Sequence, residues 1–188
     1  MTFPSHDHET APEASKPLLE QSQKAFGRLP GLHKVLAESP QAYEGYQVLH
    51  KLFTETDFDA EELTVVWQSI NVEHACHYCV PAHTGIAKMM KVSDEITQAL
   101  RNETLLPSDK LEALRTFTVQ MVRERGNVSD AQMKAFFDSG YGHRAVLDVI
   151  LGLAQKTMSN YVNHVAETPV DEVFQPLAWQ RGDTQLEV

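Results

Sequence analysis

From Leu18 to about His164 the apolar residues return every three or four positions, and no stretch alternates the way a strand does. That period marks amphipathic helices, and repeated along most of a chain it leaves an all-α bundle as the fold class. Leu32, Val35 and Leu36 form a short helix stopped at Ser39-Pro40. Tyr43, Tyr46, Leu49, Leu52 and Phe53 form the next, with Pro40 suited to its first turn. Asp57 and Asp59 suit a turn and a cap before a helix carrying Leu63, Val66, Trp67 and Ile70. The segment from Cys76 opens a fourth helix, with Ile86, Ala87 and Met90 on one side. Ser93-Asp94-Glu95 starts a fifth. Pro107-Ser108 starts a sixth, with Leu111, Leu114, Phe117, Val119 and Val122, and Gly126 ends it. Ser129 caps a seventh through Phe136 and Phe137. Gly140-Tyr141-Gly142 precedes a long eighth to about His164, striped by Val146, Val149, Ile150, Leu153 and Ala154 and closed by Thr168-Pro169. About eight helices result, followed by a tail whose Phe174 and Trp179 suggest docking between subunits of a homo-oligomer.

A chain of 188 residues suits one domain with a substantial core. Residues 1–16 read as a mobile polar arm, and 17–188 as a single helical domain that includes the tail. Acidic residues outnumber basic ones 26 to 16, for a formal charge of −10. Nucleic-acid phosphates and anionic membrane surfaces both reward the opposite balance. No apolar run is long enough to span a bilayer. The first seventeen residues carry His6, Asp7, His8, Glu9 and Glu13, without the basic start and apolar stretch of a secretory signal. The cytoplasm is the expected compartment. Without a secretory route, the glycosylation patterns at Asn102-Glu103-Thr104 and Asn127-Val128-Ser129 read as accidental.

Cys76 and Cys79 are the only two cysteines, three positions apart, and His83 stands four residues after the second. In the cytoplasm such a pair is more often reactive or metal-binding than a structural staple. At a helix start, unpaired N–H groups and the positive end of the dipole favour a thiolate, which points to dithiol redox chemistry. On one helix Cys79 would lie about 60° from Cys76 and His83 about 20° from it, so all three share a face. His83 then sits one turn from Cys79, in reach of a proton relay, directly or through a water. Pro81 shifts the regular helix toward a start at Cys79 or Val80, which preserves the Cys79–His83 relation and loosens the placement of Cys76.

Glu73, three residues before Cys76, is the acid candidate for the relay. Glu61 and Glu62 suit the first turn of their helix, where acids favour the dipole. His74 reads as exposed, and His77 as pointing away from the shared face. Tyr78 reads either as plain core or as a hydrogen-bonding side chain. A competing arrangement is a zinc site from Cys76, Cys79, His83 and one of His74, His77, His143 or His164, though no second cysteine pair supports it. Two buried small side chains with no chemistry are the plainest alternative.

Val65 to Met90, reading VVWQSINVEHACHYCVPAHTGIAKMM, resembles the core of the carboxymuconolactone decarboxylase-like superfamily, and within it the alkylhydroperoxidase AhpD-like branch. The signature is an acid, then C-x-x-C, then three residues and a histidine. The stretch from Gly140 through Thr168-Pro169 and Asp171 is similar to that family's long closing helix. The resemblance implies an all-helical AhpD-like bundle that forms dimers, trimers or hexamers and reduces peroxides without metal or haem. It implies that Cys79 attacks the peroxide and becomes a sulfenic acid, and that Cys76 resolves it as a disulfide. His83 would act with a glutamate in a proton relay, and a thiol or dithiol partner protein would reduce the disulfide. This chain departs from the pattern at Thr64, where the family glutamate usually stands, twelve residues before the first cysteine. Either Glu73 replaces it, or Glu61 or Glu62 does so through a shifted alignment. The expected activity is a thiol-dependent peroxidase, an oxidoreductase without a cofactor. The alternatives are a decarboxylase-type enzyme using His83 and Glu73 as acid and base, and a zinc-binding or redox-sensing module. The lactone decarboxylases of the superfamily lack this cysteine pair.

Overall fold

The computed structural model describes residues 3–182, so the first two residues of the expected arm and the last six of the expected domain lie outside it. Among the described residues there are nine α-helices, two short 3-10 helices and no strand. The helices are α1 (Lys16–Phe26), α2 (Gly31–Leu36), α3 (Pro40–Thr54), α4 (Ala60–Glu73), α5 (Cys79–Met89), α6 (Asp94–Arg101), α7 (Asp109–Arg123), α8 (Asp130–Asp138) and α9 (His143–Ala166). The starts follow from side-chain caps. Ser39, Ser93 and Ser108 each accept a backbone N–H from the first turn that follows. Asp59 and Ser129 form full capping boxes with Glu62 and Gln132. Each satisfies donors that a helix otherwise leaves open, contributing about 1 kcal/mol.

The arrangement is built around α4. Every residue from Glu62 to Val72 is buried, because α5, α6, α7 and α9 all pack on it. One core gathers Phe53, Trp67, Leu114, Phe117, Phe136 and Val149. There the Phe117 and Phe136 rings stack at 4.0 Å, and Tyr141 continues the stack at 4.7 Å. Burying side chains of this size stabilises by about 2–3 kcal/mol each. A second core joins α1, α2 and α3 and encloses both cysteines with Leu19, Leu36, Tyr43 and Tyr46. Gly152 lets the 24-residue α9 pass close to α3 and α4. A Cβ there would meet Phe53 at 2.7 Å and Val66 at 2.9 Å.

The expected arm is bonded to the body. The His6 backbone N–H donates to Lys34, and the Ser15 hydroxyl donates to the carbonyl of Ala37 at 2.6 Å. Ala11 and Ser15 are buried. The tail also docks on its own chain, where the sequence suggested a neighbouring subunit. The Phe174 ring lies on Gly85, where any Cβ would collide with it. Trp179 is buried with Val72 and Val80 and donates to the carbonyl of Arg101. Asp171 accepts from Arg28, from the Gly31 backbone and from Tyr78, closing the tail over the start of α5.

Candidate active site

The chain between α4 and α5 turns through Ala75, which sits in the left-handed region at φ 51°. A non-glycine residue there is strained by about 1–2 kcal/mol. The turn closes with the Cys76 N–H donating to the carbonyl of Asn71 at 2.9 Å. It leaves Cys76 ahead of the helix, so α5 begins at Cys79 with Tyr78 as its N-cap. Pro81 therefore occupies the first turn, where its missing N–H is harmless. The cysteines do not share a helix face; Cys76 folds back under the helix start. The Cys79 N–H points at the Cys76 sulfur at 3.4 Å, and the Val80 N–H donates to the Cys76 carbonyl at 3.1 Å. Both thiols are free and buried.

The opposite wall is a polar stripe on α9. Lys156, Ser159, Asn160 and Asn163 are each at most 1% exposed. Their spacing of three, four and seven places them on one face. Asn163 Nδ2 donates to the Cys79 sulfur at 3.3 Å, and Ser159 Oγ lies 4.0 Å from it. Lys156 Nζ lies 2.9 Å from His83 Nε2. With Lys156 as an ammonium, which only donates, Nε2 accepts and the neutral imidazole carries its proton on Nδ1. That Nδ1 has no partner among the described residues, and neither has Asn163 Oδ1. Trp67 flanks the imidazole, with ring centroids 4.9 Å apart. Asn160 continues the polar chain to Asn71 at 3.0 Å, Asn71 to Gln68 at 2.9 Å, and Gln68 to Thr84 at 3.1 Å. Arg101 ends it, donating to Thr84 and to the tail carbonyls of Leu177 and Ala178.

These contacts separate the two thiols. Burial pushes the Cys79 thiol up, but the hydrogen bond from Cys76, the Lys156 charge and the amides of Asn160 and Asn163 outweigh it and hold Cys79 below the ordinary thiol range. Cys76 moves up, first because it donates to Cys79, then through burial. Burial holds His83 well below the usual imidazole range, helped by Lys156 and His50, so it is neutral. Burial also lowers Lys156, while the two sulfurs oppose that shift.

Glu73 is not brought to the pair. Arg123 holds its carboxylate bidentately at 2.8 Å on both oxygens, and Arg181 adds a third contact at 3.6 Å. Those guanidiniums lower its pKa, the Arg123 hydrogen bonds first. Its hydrogen bonds therefore leave it on the α7 side of α4, with none to Cys76, Cys79 or His83. Glu61 is exposed at the start of α4, while Glu62 closes the capping box and bonds Lys110 and Tyr141. Thr64 donates to the carbonyl of Ala60 at 2.8 Å. His74 pairs with Asn160 at 2.9 Å, and His77 with the Thr168 carbonyl at 3.0 Å. Tyr78 combines both of its readings: it is core, and its hydroxyl bonds Asp171 and the Leu32 N–H. Among the described residues no three His, Cys, Asp or Glu side chains form a group able to hold a metal ion. The Lys156 ammonium beside His83 and the sulfurs would also repel a cation. The residues missed in the sequence are those of α9. Their signal was a run of polar residues at helical spacing, Lys156, Ser159, Asn160 and Asn163, on a long helix whose reading followed only the apolar stripe.

No protein-family model matches the sequence, and no curated protein matches it. The solved structures are more informative. The alkylhydroperoxidase AhpD core of an uncharacterized peroxidase-related protein from Ralstonia eutropha JMP134 aligns with a TM-score of 0.80 at 16% identity, over 92% of this chain and 93% of that one. An uncharacterized peroxidase-related protein from Silicibacter sp. TM1040 aligns with a TM-score of 0.79 at 17% identity, over 93% and 92% of the two chains. The debrominase Bmp8, as a cysteine-to-alanine variant in complex with 2,3,4-tribromopyrrole, aligns with a TM-score of 0.75 at 14% identity, over 94% and 95%. The protein is an all-helical member of the AhpD fold class. That fold agrees with the superfamily resemblance of Val65 to Met90.

Proposed function

We propose that this chain is a thiol-dependent peroxidase. The observation that carries the reading is the packing of Cys79 at a helix start, with the Cys76 sulfur 3.4 Å from its N–H and the Asn163 amide 3.3 Å from its sulfur. One sulfur is primed as a nucleophile and the other waits beside it. Cys79 attacks a peroxide oxygen, the O–O bond breaks, and the sulfur becomes a sulfenic acid. The Cys76 thiol then displaces water and closes the disulfide, which a thiol or dithiol partner protein reduces. His83, bonded to Lys156, is the proton carrier. The proposed setting is the cytoplasm; among the described residues, no helix is long and apolar enough to cross a membrane.

The likeness to Bmp8 supports a second electrophile for the same thiol, a brominated pyrrole. Both readings are separated by one assay: consumption of hydrogen peroxide, cumene hydroperoxide or tribromopyrrole with dithiothreitol as reductant. The peroxide reading expects turnover of a peroxide that Cys79→Ser abolishes. Turnover of the bromopyrrole alone, or peroxide turnover that survives Cys79→Ser, rejects it. We also propose a homo-oligomer. Its contact face is the exposed line of Leu147, Ile150, Tyr161 and Val165 on α9, with the exposed Val48 and Leu52 of α3, the helix that packs on α9. Sedimentation of Leu147→Asp alongside the parent tests it: a smaller species is expected, and a monomeric parent refutes it.

A further inference from the structure

We propose that Lys156 is the proton reservoir of the Cys79 reaction: its ammonium balances the thiolate at rest and supplies, through His83, the proton that the departing oxygen takes. This rests on the reading of Cys79 as the attacking thiol and assigns the acid that Glu73 does not supply.

The geometry starts from an uncommon burial. Lys156 is 1% exposed in the middle of α9. A lysine in that position needs a counter-charge or loses its proton. The titratable groups that face it are His50 from α3, His83 and Cys79 from α5, and Cys76 from the turn before α5, while Tyr46 of α3 faces Cys79. No carboxylate is among them. The histidines are held neutral by burial, so the sulfurs are the partners that can balance an ammonium. Of the two, Cys79 is the better anion, because Cys76 and Asn163 both donate to it.

The balance then holds through the whole cycle. At rest the pocket contains S⁻ and NH3⁺, with no net charge. When Cys79 attacks ROOH, the sulfur contributes an electron pair, the S–O bond forms, and the O–O bond breaks. The sulfur keeps the hydroxyl as S–OH, and RO⁻ leaves. If RO⁻ took its proton from water, a buried ammonium would remain without a counter-charge. Taking it from Lys156 leaves S–OH, ROH and a neutral amine. Condensation of the Cys76 thiol with the sulfenic acid releases water and changes no charge. When two thiols of the reductant open the disulfide, the regenerated Cys79 thiol gives its proton to His83 Nδ1 while Nε2 returns its own to the amine, which restores the starting tautomer. The buried site never holds an uncompensated charge at any stage.

His83 supplies the route. Its Nε2 accepts from Lys156 at 2.9 Å, while its Nδ1–H has no protein partner. A buried donor without a partner is rare and needs a reason. Transfer of the Nδ1 proton to RO⁻, with Nε2 taking the lysine proton, exchanges one imidazole tautomer for the other. The ring need never become a cation, which suits a histidine that burial keeps neutral.

The test compares the parent with Lys156→Met, which keeps most of the length and removes the charge, and Lys156→Arg, which keeps the charge. The rate of iodoacetamide alkylation at Cys79, located by peptide fragmentation, is followed against pH. The expected result is a profile displaced upward by at least one pH unit in Lys156→Met, with alkylation at a pH below the parent's midpoint about tenfold slower or more, and a profile near the parent's in Lys156→Arg. Peroxide reduction falls by at least the same factor. A parent-like profile in Lys156→Met overturns the proposal. A second measurement needs no variant. Oxidation of the reduced parent by one equivalent of peroxide in weak buffer, at a pH where alkylation shows Cys79 ionised, takes up no proton if Lys156 is the donor. Uptake of one proton per disulfide overturns it. Failure of the peroxide reading is separate: a parent that reduces no peroxide, but whose alkylation profile still shifts in Lys156→Met, refutes the substrate and keeps Lys156 as the thiolate's partner.

Discussion

A single hydrogen bond to a sulfur anion is a large lever in a dry site. The Asn163 amide is 0% exposed and donates directly to Cys79. Bonds to charged groups contribute about 1.5–3 kcal/mol, so Asn163→Ala should raise the midpoint of the Cys79 alkylation profile by about one to two pH units. Glu73→Gln, which disturbs only the ion pairs with Arg123 and Arg181, should leave that midpoint where it is. If Glu73→Gln moves the midpoint and Asn163→Ala does not, the assignment of side chains to the sulfur is wrong. At this scale the local part of the candidate site was legible in the sequence. Cys76, Cys79 and His83 are close in sequence, and their spacing is what singled them out. Lys156 and Asn163 lie 73 and 84 residues from their partners, and no local pattern announces such a meeting. Glu73 misled for the converse reason: nearness in sequence put it beside the cysteines, but the left-handed turn at Ala75 separates the end of α4 from the start of α5.

Elements were legible where a cap or a break marks them. Asp59, Ser93, Ser108 and Ser129 all begin helices as their side-chain chemistry dictates. The start of α5 at Cys79 follows from Pro81, and this moved Cys76 off the helix face that simple periodicity gave it. The tail was misread because Phe174 and Trp179 look exposed until α5 and α6 provide a seat for them. Gly152 shows how an element positions the site. A larger side chain there meets Phe53 and Val66, pushing α9, and Lys156 one turn further along, away from α4. Gly152→Val should destabilise by about 1–3 kcal/mol in urea unfolding, and peroxide reduction should fall more steeply than in an equally destabilised variant of α8. Unchanged stability would show that α9 packs more loosely than described.

The whole molecule carries its polar machinery inside. Burial, with help from neighbouring charges, lowers both His33 and His50 from 6.5 to about 4. Between those values the unfolded chain binds protons that the folded one refuses. Their contribution is therefore complete above pH 6.5, shrinks as the pH falls, and levels off below about 4. For the well-buried His33 the full effect is about 3 kcal/mol. Thermal unfolding between pH 7.5 and 4.5 should show a steady fall in midpoint that His33→Gln reduces; a midpoint flat across that window would contradict neutral burial. The helical architecture was readable from spacing alone, since α4 through α9 follow the apolar period closely. How the helices enclose α4 was not, because its buried Gln68, Ser69 and Asn71 look like surface residues in sequence and are enclosed only by the other helices that pack on α4.

In the proposed cycle one defined sulfur reacts and its neighbour traps the product. Mass spectrometry of the two thiols after a brief pulse of peroxide tests it most directly. An internal Cys76–Cys79 disulfide is expected in the parent, and a trappable sulfenic acid on Cys79 alone in Cys76→Ser. Oxidation that falls first on Cys76, or two thiols that survive the pulse unchanged, would contradict it.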